Sequence, residues 1–145
     1  MNLDTLYQEV ILDHYKNPLN KKLSPTFDVQ VHHINTSCGD EITLNLTAVD
    51  GVITAITWDG VGCSISQASV SIASDLLMGK TFEQAQAISD EFVDLMQSKG
   101  KKVGDEQTLE DAVALAGVSQ YPARIKCALL GWMAIKDAAI QTQTK

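Results

Sequence analysis

Asp50-Gly51 stands between two alternating apolar segments, "ITLNLTAV" and "VITAITW", and this dipeptide restricts the fold more than any other feature of the chain. Such a two-residue connection predicts a type I′ hairpin, whose central residues both take positive φ, a conformation that Asp and Gly tolerate. The segments it joins, Ile42 to Val49 and Val52 to Trp58, are therefore expected to be antiparallel neighbours. Ile42, Leu44, Leu46 and Ala48 alternate along the first of them, so one sheet face is apolar and must be covered. Phe27 to Ile34 reads as a further strand ahead of the pair.

Helices supply the cover. "LDTLYQEVILDHYKN" carries a stripe of Leu3, Leu6, Tyr7, Val10, Ile11 and Tyr15. It ends at Asn17-Pro18, because the residue before a proline is pushed out of the helical region. "KNPLNKKLSPT" is then a polar connector to the first strand. Beyond the strands, Ile65, Ala68, Ile72 and Leu76 share one helical face, and Gly79 suits the helix end. Thr81 opens a capping box with Gln84, ahead of a stripe of Phe82, Ala85, Ile88, Phe92, Leu95 and Met96. "QSKGKKVGDEQ" reads as a solvated loop, and "TLEDAVALAGVSQ" as a short helix led by Thr108. Pro122 suits the first turn of a final helix whose buried stripe is Ile125, Ala128, Leu129, Trp132, Ile135 and Ala139. The expected fold is one α+β domain over residues 1–145, a three-stranded antiparallel sheet covered by helices, with an N-terminal helix preceding the sheet.

Charge excludes some functions. Eighteen acidic residues against 11 Lys and Arg give a net charge of -7, which repels phosphate backbones, and no basic run with interleaved aromatics is present. Nucleic acid is not expected as a partner. The apolar runs are too short to span a bilayer and the start lacks the basic region of a signal peptide, so a cytoplasmic protein with no membrane contact is expected.

The chemistry concentrates in three cysteines, an odd number for a reducing compartment and a poor basis for a disulfide framework. Cys38 falls in the loop between the first two strands, beside Gly39 and Asp40. Cys63 follows "WDGVG" where the third strand gives way to a helix, and Cys127 is in the second turn of the last helix. All three sit at or near element ends, where separate elements can converge. Three thiolates and the Asp40 carboxylate would form a tetrahedral set suited to Zn²⁺. Thiolates equally suit iron–sulfur clusters, and no CxxC, HxxxH or EF-hand spacing chooses between metals. Unrelated half-buried thiols remain the alternative. Cys63 at a helix N-terminus would feel the positive end of the helix dipole, which favours thiolate. A four-anion site around a divalent ion would need a cation to hold the surplus charge, and Arg124 is the candidate, with Lys126 close by. Its alternative is a solvated residue at the helix start.

The remaining polar residues point away from hydrolysis. His14 is expected at the surface or at a helix end. His32 and His33 are consecutive in a strand, so they face opposite sides and cannot both serve one site, although one could reach the Cys38 loop. No general base therefore stands beside the cysteines for a zinc hydrolase. Ser64, Ser66, Ser69, Ser71 and Ser74 read as a small-residue helix face for close packing, and no G-x-S-x-G elbow accompanies them.

"TSCGDEI", "GVGCSISQASVS" and "YPARIKCALLGW", in this order behind a helix ending "DHYKNP", resemble the U-type iron–sulfur cluster assembly family (IscU/SufU, NifU N-terminal-like) over nearly the whole chain. The resemblance implies a SufE/NifU-like α+β sandwich and the ligand set Cys38, Asp40, Cys63 and Cys127. The scaffold branch, IscU-like, carries a histidine before the third cysteine and a Leu-Pro-Pro-Val-Lys stretch. Here Lys126 occupies the histidine's place in "YPARIKC" and the proline pair is missing, while Ser98 to Gln120 resembles the insertion of the SufU branch. That branch implies a zinc-dependent sulfurtransferase-type relay rather than a stand-alone enzyme. It accepts persulfide sulfur from a PLP-dependent cysteine desulfurase of the SufS type and serves downstream Suf cluster-assembly proteins. Cys38 would be the persulfide acceptor, with a desulfurase histidine taking its place on zinc, and Arg124 would steady the site or contact the partner. A scaffold for a [2Fe-2S] cluster (or an iron site) and a structural zinc interaction module are the alternatives.

Overall fold

A computed structural model describes residues 3–144, with side chains from Thr5 onward, so the expected contribution of Leu3 to the first helical stripe lies outside the described residues. The chain runs α1 (Leu3–Lys16), β1 (Val29–Asn35), β2 (Asp40–Val49), β3 (Val52–Val61), α2 (Ser64–Leu77), α3 (Phe82–Met96), α4 (Glu106–Leu109), a 3-10 helix (Glu110–Gln120) and α5 (Pro122–Gln143). The three strands form one antiparallel sheet in the order β1-β2-β3. Asp50 and Gly51 take φ of 51° and 80°, the left-handed pair that the hairpin demands.

Ile42, Leu44 and Leu46 of β2 are fully buried and pair with Gly60, Trp58 and Ile56 of β3. The alternation expected to continue through Ala48 is broken by a bulge at Thr47/Ala48, which brings both Ile53 and Ile56 inward. Asn45, between two core leucines, is buried as well. The connector after α1 covers it, with Asn45 Nδ2 donating to the Ser24 carbonyl at 2.9 Å.

The helix α2 is surrounded rather than one-faced. Ala68, Val70, Ala73 and Leu77 are fully buried on different sides of it, as are Ser66, Ser69, Ser71 and Ser74. It packs against α1, β3, the 3-10 helix and α5. The expected single stripe therefore understates its burial, because small residues let several elements approach at once. α5 lies across β1, β2 and α2, and buries Leu130 and Ala134 beyond its expected stripe. Trp132 stacks on Phe92 of α3, ring centroids 4.2 Å apart.

The helix ends follow local chemistry, with one difference. Thr81 and Gln84 form the expected capping box and Pro122 opens α5. The "TLEDAVALAGVSQ" segment does not begin at Thr108: Asp105 caps α4, accepting the Gln107 amide at 3.1 Å and the Thr108 hydroxyl at 2.8 Å, and the chain continues as 3-10 helix. Among the described residues no helix is long and apolar enough to cross a membrane.

Candidate metal centre

Asp40 opens β2, paired across the sheet with Asn35, the last residue of β1. Between them residues 36–39 make a tight turn that carries Cys38, with Gly39 at φ +69°. β3 ends beside this turn, and Cys63 is the N-cap of α2. α5 brings Cys127 over the same edge, fully buried, while Cys38 is half-buried. Cys38, Asp40 and Cys127 each offer a donor atom, and the three lie within 4.8 Å of one another. The Cys127 thiol donates to Cys38 Sγ at 3.0 Å. The Cys63 thiol lies against both Asp40 and Cys127 but does not join the compact trio with Cys38.

The site is built around the Asp40 carboxylate, which is wholly buried. Its Oδ1 accepts the Cys63 main-chain N–H at 2.9 Å and lies 3.1 Å from Ser66 Oγ. Oδ2 lies 3.3 Å from Asn35 Nδ2. Burial alone would raise the carboxyl pKa, but the Cys63 amide donation and the close polar contacts with the Cys127, Ser66 and Cys63 side chains hold it below the ordinary carboxylate range. Burial, then hydrogen bonding to Cys38 and Asp40, pushes the Cys127 thiol far above its usual value. Without a compensating cation, the pocket thus favours the Asp40 carboxylate and a protonated Cys127.

The donor set fits a thiophilic divalent ion. Zn–S bonds of about 2.3 Å at the tetrahedral angle set sulfurs about 3.8 Å apart. Cys38 and Cys127, 3.0 Å apart, need only a small opening to reach that separation. A hard oxygen-seeking ion would be poorly served by sulfur donors.

Other expected residues fall elsewhere. Arg124 is exposed on the first turn of α5, and among the described residues its guanidinium makes no ion pair or hydrogen bond. His32 faces outward and pairs with Glu41 at 2.8 Å, and His33 bonds Asp137 of α5 at 2.9 Å, so neither reaches the cysteines. His14, expected at the surface or at a helix end, lies in the last turn of α1 and is buried there between Ser71 and Asp111, at 2.9 Å from each. Its position seven residues after Tyr7 puts it on the inward stripe of α1, whereas Leu6 and Tyr15 point out, each 46% exposed. Sequence reasoning missed Ser66 and Asn35. The only local signal for either was a polar residue at a helix start or strand end, which is common everywhere.

A three-stranded sheet under helices, with thiols and a carboxylate meeting at one end of the sheet, defines a class. The family model of the NifU-like N-terminal domain matches residues 6–141, and the chain belongs to that family. It is 46% identical over 143 residues to the zinc-dependent sulfurtransferase SufU of Bacillus subtilis, covering 98% of this chain and 95% of that protein. It is 39% identical over 137 residues to the iron–sulfur cluster assembly scaffold protein IscU of Streptococcus pyogenes, covering 94% and 84%. The crystal structure of a NifU-like protein (N-terminal) from Brucella abortus superposes with a TM-score of 0.87 at 25% identity, over 99% of this chain and 98% of that one.

Proposed function

We propose that this chain, acting as a single cytoplasmic domain, is a zinc-dependent sulfur acceptor in iron–sulfur cluster assembly. It would take persulfide sulfur from a PLP-dependent cysteine desulfurase of the SufS type and pass it to downstream assembly proteins. The observation that carries this reading is the unequal anchoring of the donors around one site. Asp40 is wholly buried and Cys127 sits inside a long helix, whereas Cys38 rides a turn and is half-buried. Cys63 is half-buried too, but it caps α2 and its amide is bound to Asp40, so Cys38 is the donor free to move. Its relatedness to SufU of Bacillus subtilis supports the choice of zinc and of sulfur transfer.

Cys38, Asp40, Cys63 and Cys127 would hold the ion. When bound, zinc supplies the positive charge that lets the sulfurs exist as thiolates at neutral pH. The remaining chemistry belongs to the chain. Cys38 Sγ, as thiolate, attacks the outer sulfur of the desulfurase persulfide. A new S–S bond forms to Cys38, the old S–S bond breaks, and the desulfurase cysteine departs as thiolate with the electron pair. No external oxidant or reductant is needed. Cys38 sulfur lies within 3.9 Å of the Ala123 carbonyl at the start of α5. Exposed Arg124 and Tyr121 flank that helix start, where Arg124 would steady the anionic site or meet the partner.

Native mass spectrometry tests the reading, before and after incubation with cysteine and a catalytic amount of a SufS-type desulfurase. One zinc per chain and added sulfur mapping to Cys38, the added sulfur being lost in Cys38→Ala, is the expected result. Full acceptor activity in Cys38→Ala would overturn the assignment. Iron and sulfide in place of zinc would favour the scaffold reading, which the 39% identity to IscU of Streptococcus pyogenes keeps in view.

A further inference from the structure

One residue touches every part of the trio, Asp40 and Cys127 through its side chain and Cys38 through its main chain. Asn35 Nδ2 lies 3.3 Å from Asp40 Oδ2 and 3.8 Å from Cys127 Sγ, while its Oδ1 accepts the Ser37 amide at 3.3 Å. Its main-chain carbonyl accepts the Cys38 amide at 3.4 Å. Chemistry alone fixes the direction of the amide, because a main-chain N–H needs an oxygen acceptor and an ionised carboxylate needs a donor. One half of the group therefore holds the turn that carries Cys38, and the other half holds the two anchored donors.

We propose that Asn35 is a positioning residue that ties the Cys38 turn to the Asp40–Cys127 pair and so sets how readily Cys38 leaves the cluster. This rests on the metal-binding reading above. Asp40 Oδ1 already has the Cys63 amide and Ser66, so Asn35 supplies the amide donor that faces Oδ2, beside the Cys127 and Cys63 thiols. The bonds to the turn are long, at 3.3 and 3.4 Å, and suit a link that holds Cys38 in place yet lets it go. An N–H directed at a ligating sulfur also withdraws electron density from it, which is how groups outside the ligand set tune a metal site.

The test compares wild type, Asn35→Ala and Asn35→Asp, loaded with zinc or with Co²⁺ as a spectroscopic probe. Asn35→Asp keeps an oxygen for the Ser37 amide and loses the N–H donor, so it separates the two halves. In Asn35→Ala, alkylation of Cys38 by iodoacetamide, mapped by peptide mass, is expected to quicken at least fivefold. Zinc transfer to a chelator should quicken similarly, and the sulfur-to-cobalt charge-transfer band should move to longer wavelength. Asn35→Asp should share the band shift and keep Cys38 alkylation within about twofold of wild type. A merely structural role would leave the band where it is. Alkylation and zinc transfer within twofold of wild type in Asn35→Ala, with an unmoved band in both variants, would overturn this inference alone. A wild-type chain that takes up neither zinc nor cobalt would overturn the reading it rests on as well.

Discussion

Asp40 is held so closely that its neighbours have no spare volume. A Cβ at Gly62 would lie 2.4 Å from Asp40 Oδ1 and 2.6 Å from Ser66 Oγ, so the residue before Cys63 must lack a side chain. Gly62→Ala is expected to break the Ser66 and Cys63 bonds to the carboxylate. The cost should be about 1–3 kcal/mol of stability, from overpacking and from a buried acceptor left short of donors. Zinc content should fall well below that of wild type, as elemental analysis and a denaturant midpoint would report. Cys38 and Asp40 could be picked from the sequence because sulfur beside a carboxylate is unusual chemistry, and Cys127 because it is one of only three thiols and lies near a helix start. Asn35 and Ser66 could not, because nothing but distance separates them from ordinary turn and helix-start residues. The burial of His14 at the end of α1 is not legible for another reason: imidazole carries no apolar weight in a periodicity count, although its ring fills an inward position as well as a leucine would.

At the scale of one element, α2 shows how a helix rich in serine can sit at the centre of a fold. Its small side chains permit close approach, as expected, but their hydroxyls also serve its neighbours. Ser66 meets Asp40, Ser71 meets His14 and accepts the Leu19 amide at 2.8 Å, and Ser74 accepts the Asn20 side-chain amide at 3.1 Å. Ser69 Oγ donates to the Ala128 carbonyl at 2.6 Å and accepts the Trp132 indole N–H at 3.0 Å, both fully inside the protein. Ser69→Ala leaves that indole N–H unpartnered in the core. It is expected to cost about 1–3 kcal/mol, read as a lower thermal midpoint. Ser69→Thr would keep the hydroxyl but add a methyl group to a tightly packed seam. Composition foretold the close packing but not these bonds, since a hydroxyl reveals its partner only once the facing helix is in place.

Across the whole molecule, α1 is held weakly by apolar burial among the described residues. Tyr7, Val10 and Ile11 are only half-buried, and His14 is its one buried side chain among the described residues. Ser71 Oγ accepts the Leu19 amide, which leaves its hydrogen for His14 Nδ1 and leaves the Nε2 hydrogen for Asp111. One ring thereby joins α1, α2 and the 3-10 helix. His14→Ala is expected to lower hydrogen-exchange protection of α1 at least tenfold while the sheet amides change little, a local opening of about 1–3 kcal/mol. Uniform loss of protection across sheet and helices would instead show that α1 opens only with the entire fold.

Several features were determined by the sequence alone: the hairpin at Asp50-Gly51, the capped start of α3, the proline that opens α5, and the placing of all three cysteines near element ends. Each depends on interactions within a few residues, where backbone sterics and capping act without help from the rest of the chain. Tertiary structure alone decided that Cys38 would meet Cys127, 89 positions away, that Asn35 would bridge them, and that Arg124 would stay in solvent. Those outcomes depend on how one long helix lies across the end of the sheet, and a local pattern carries no energy term for that.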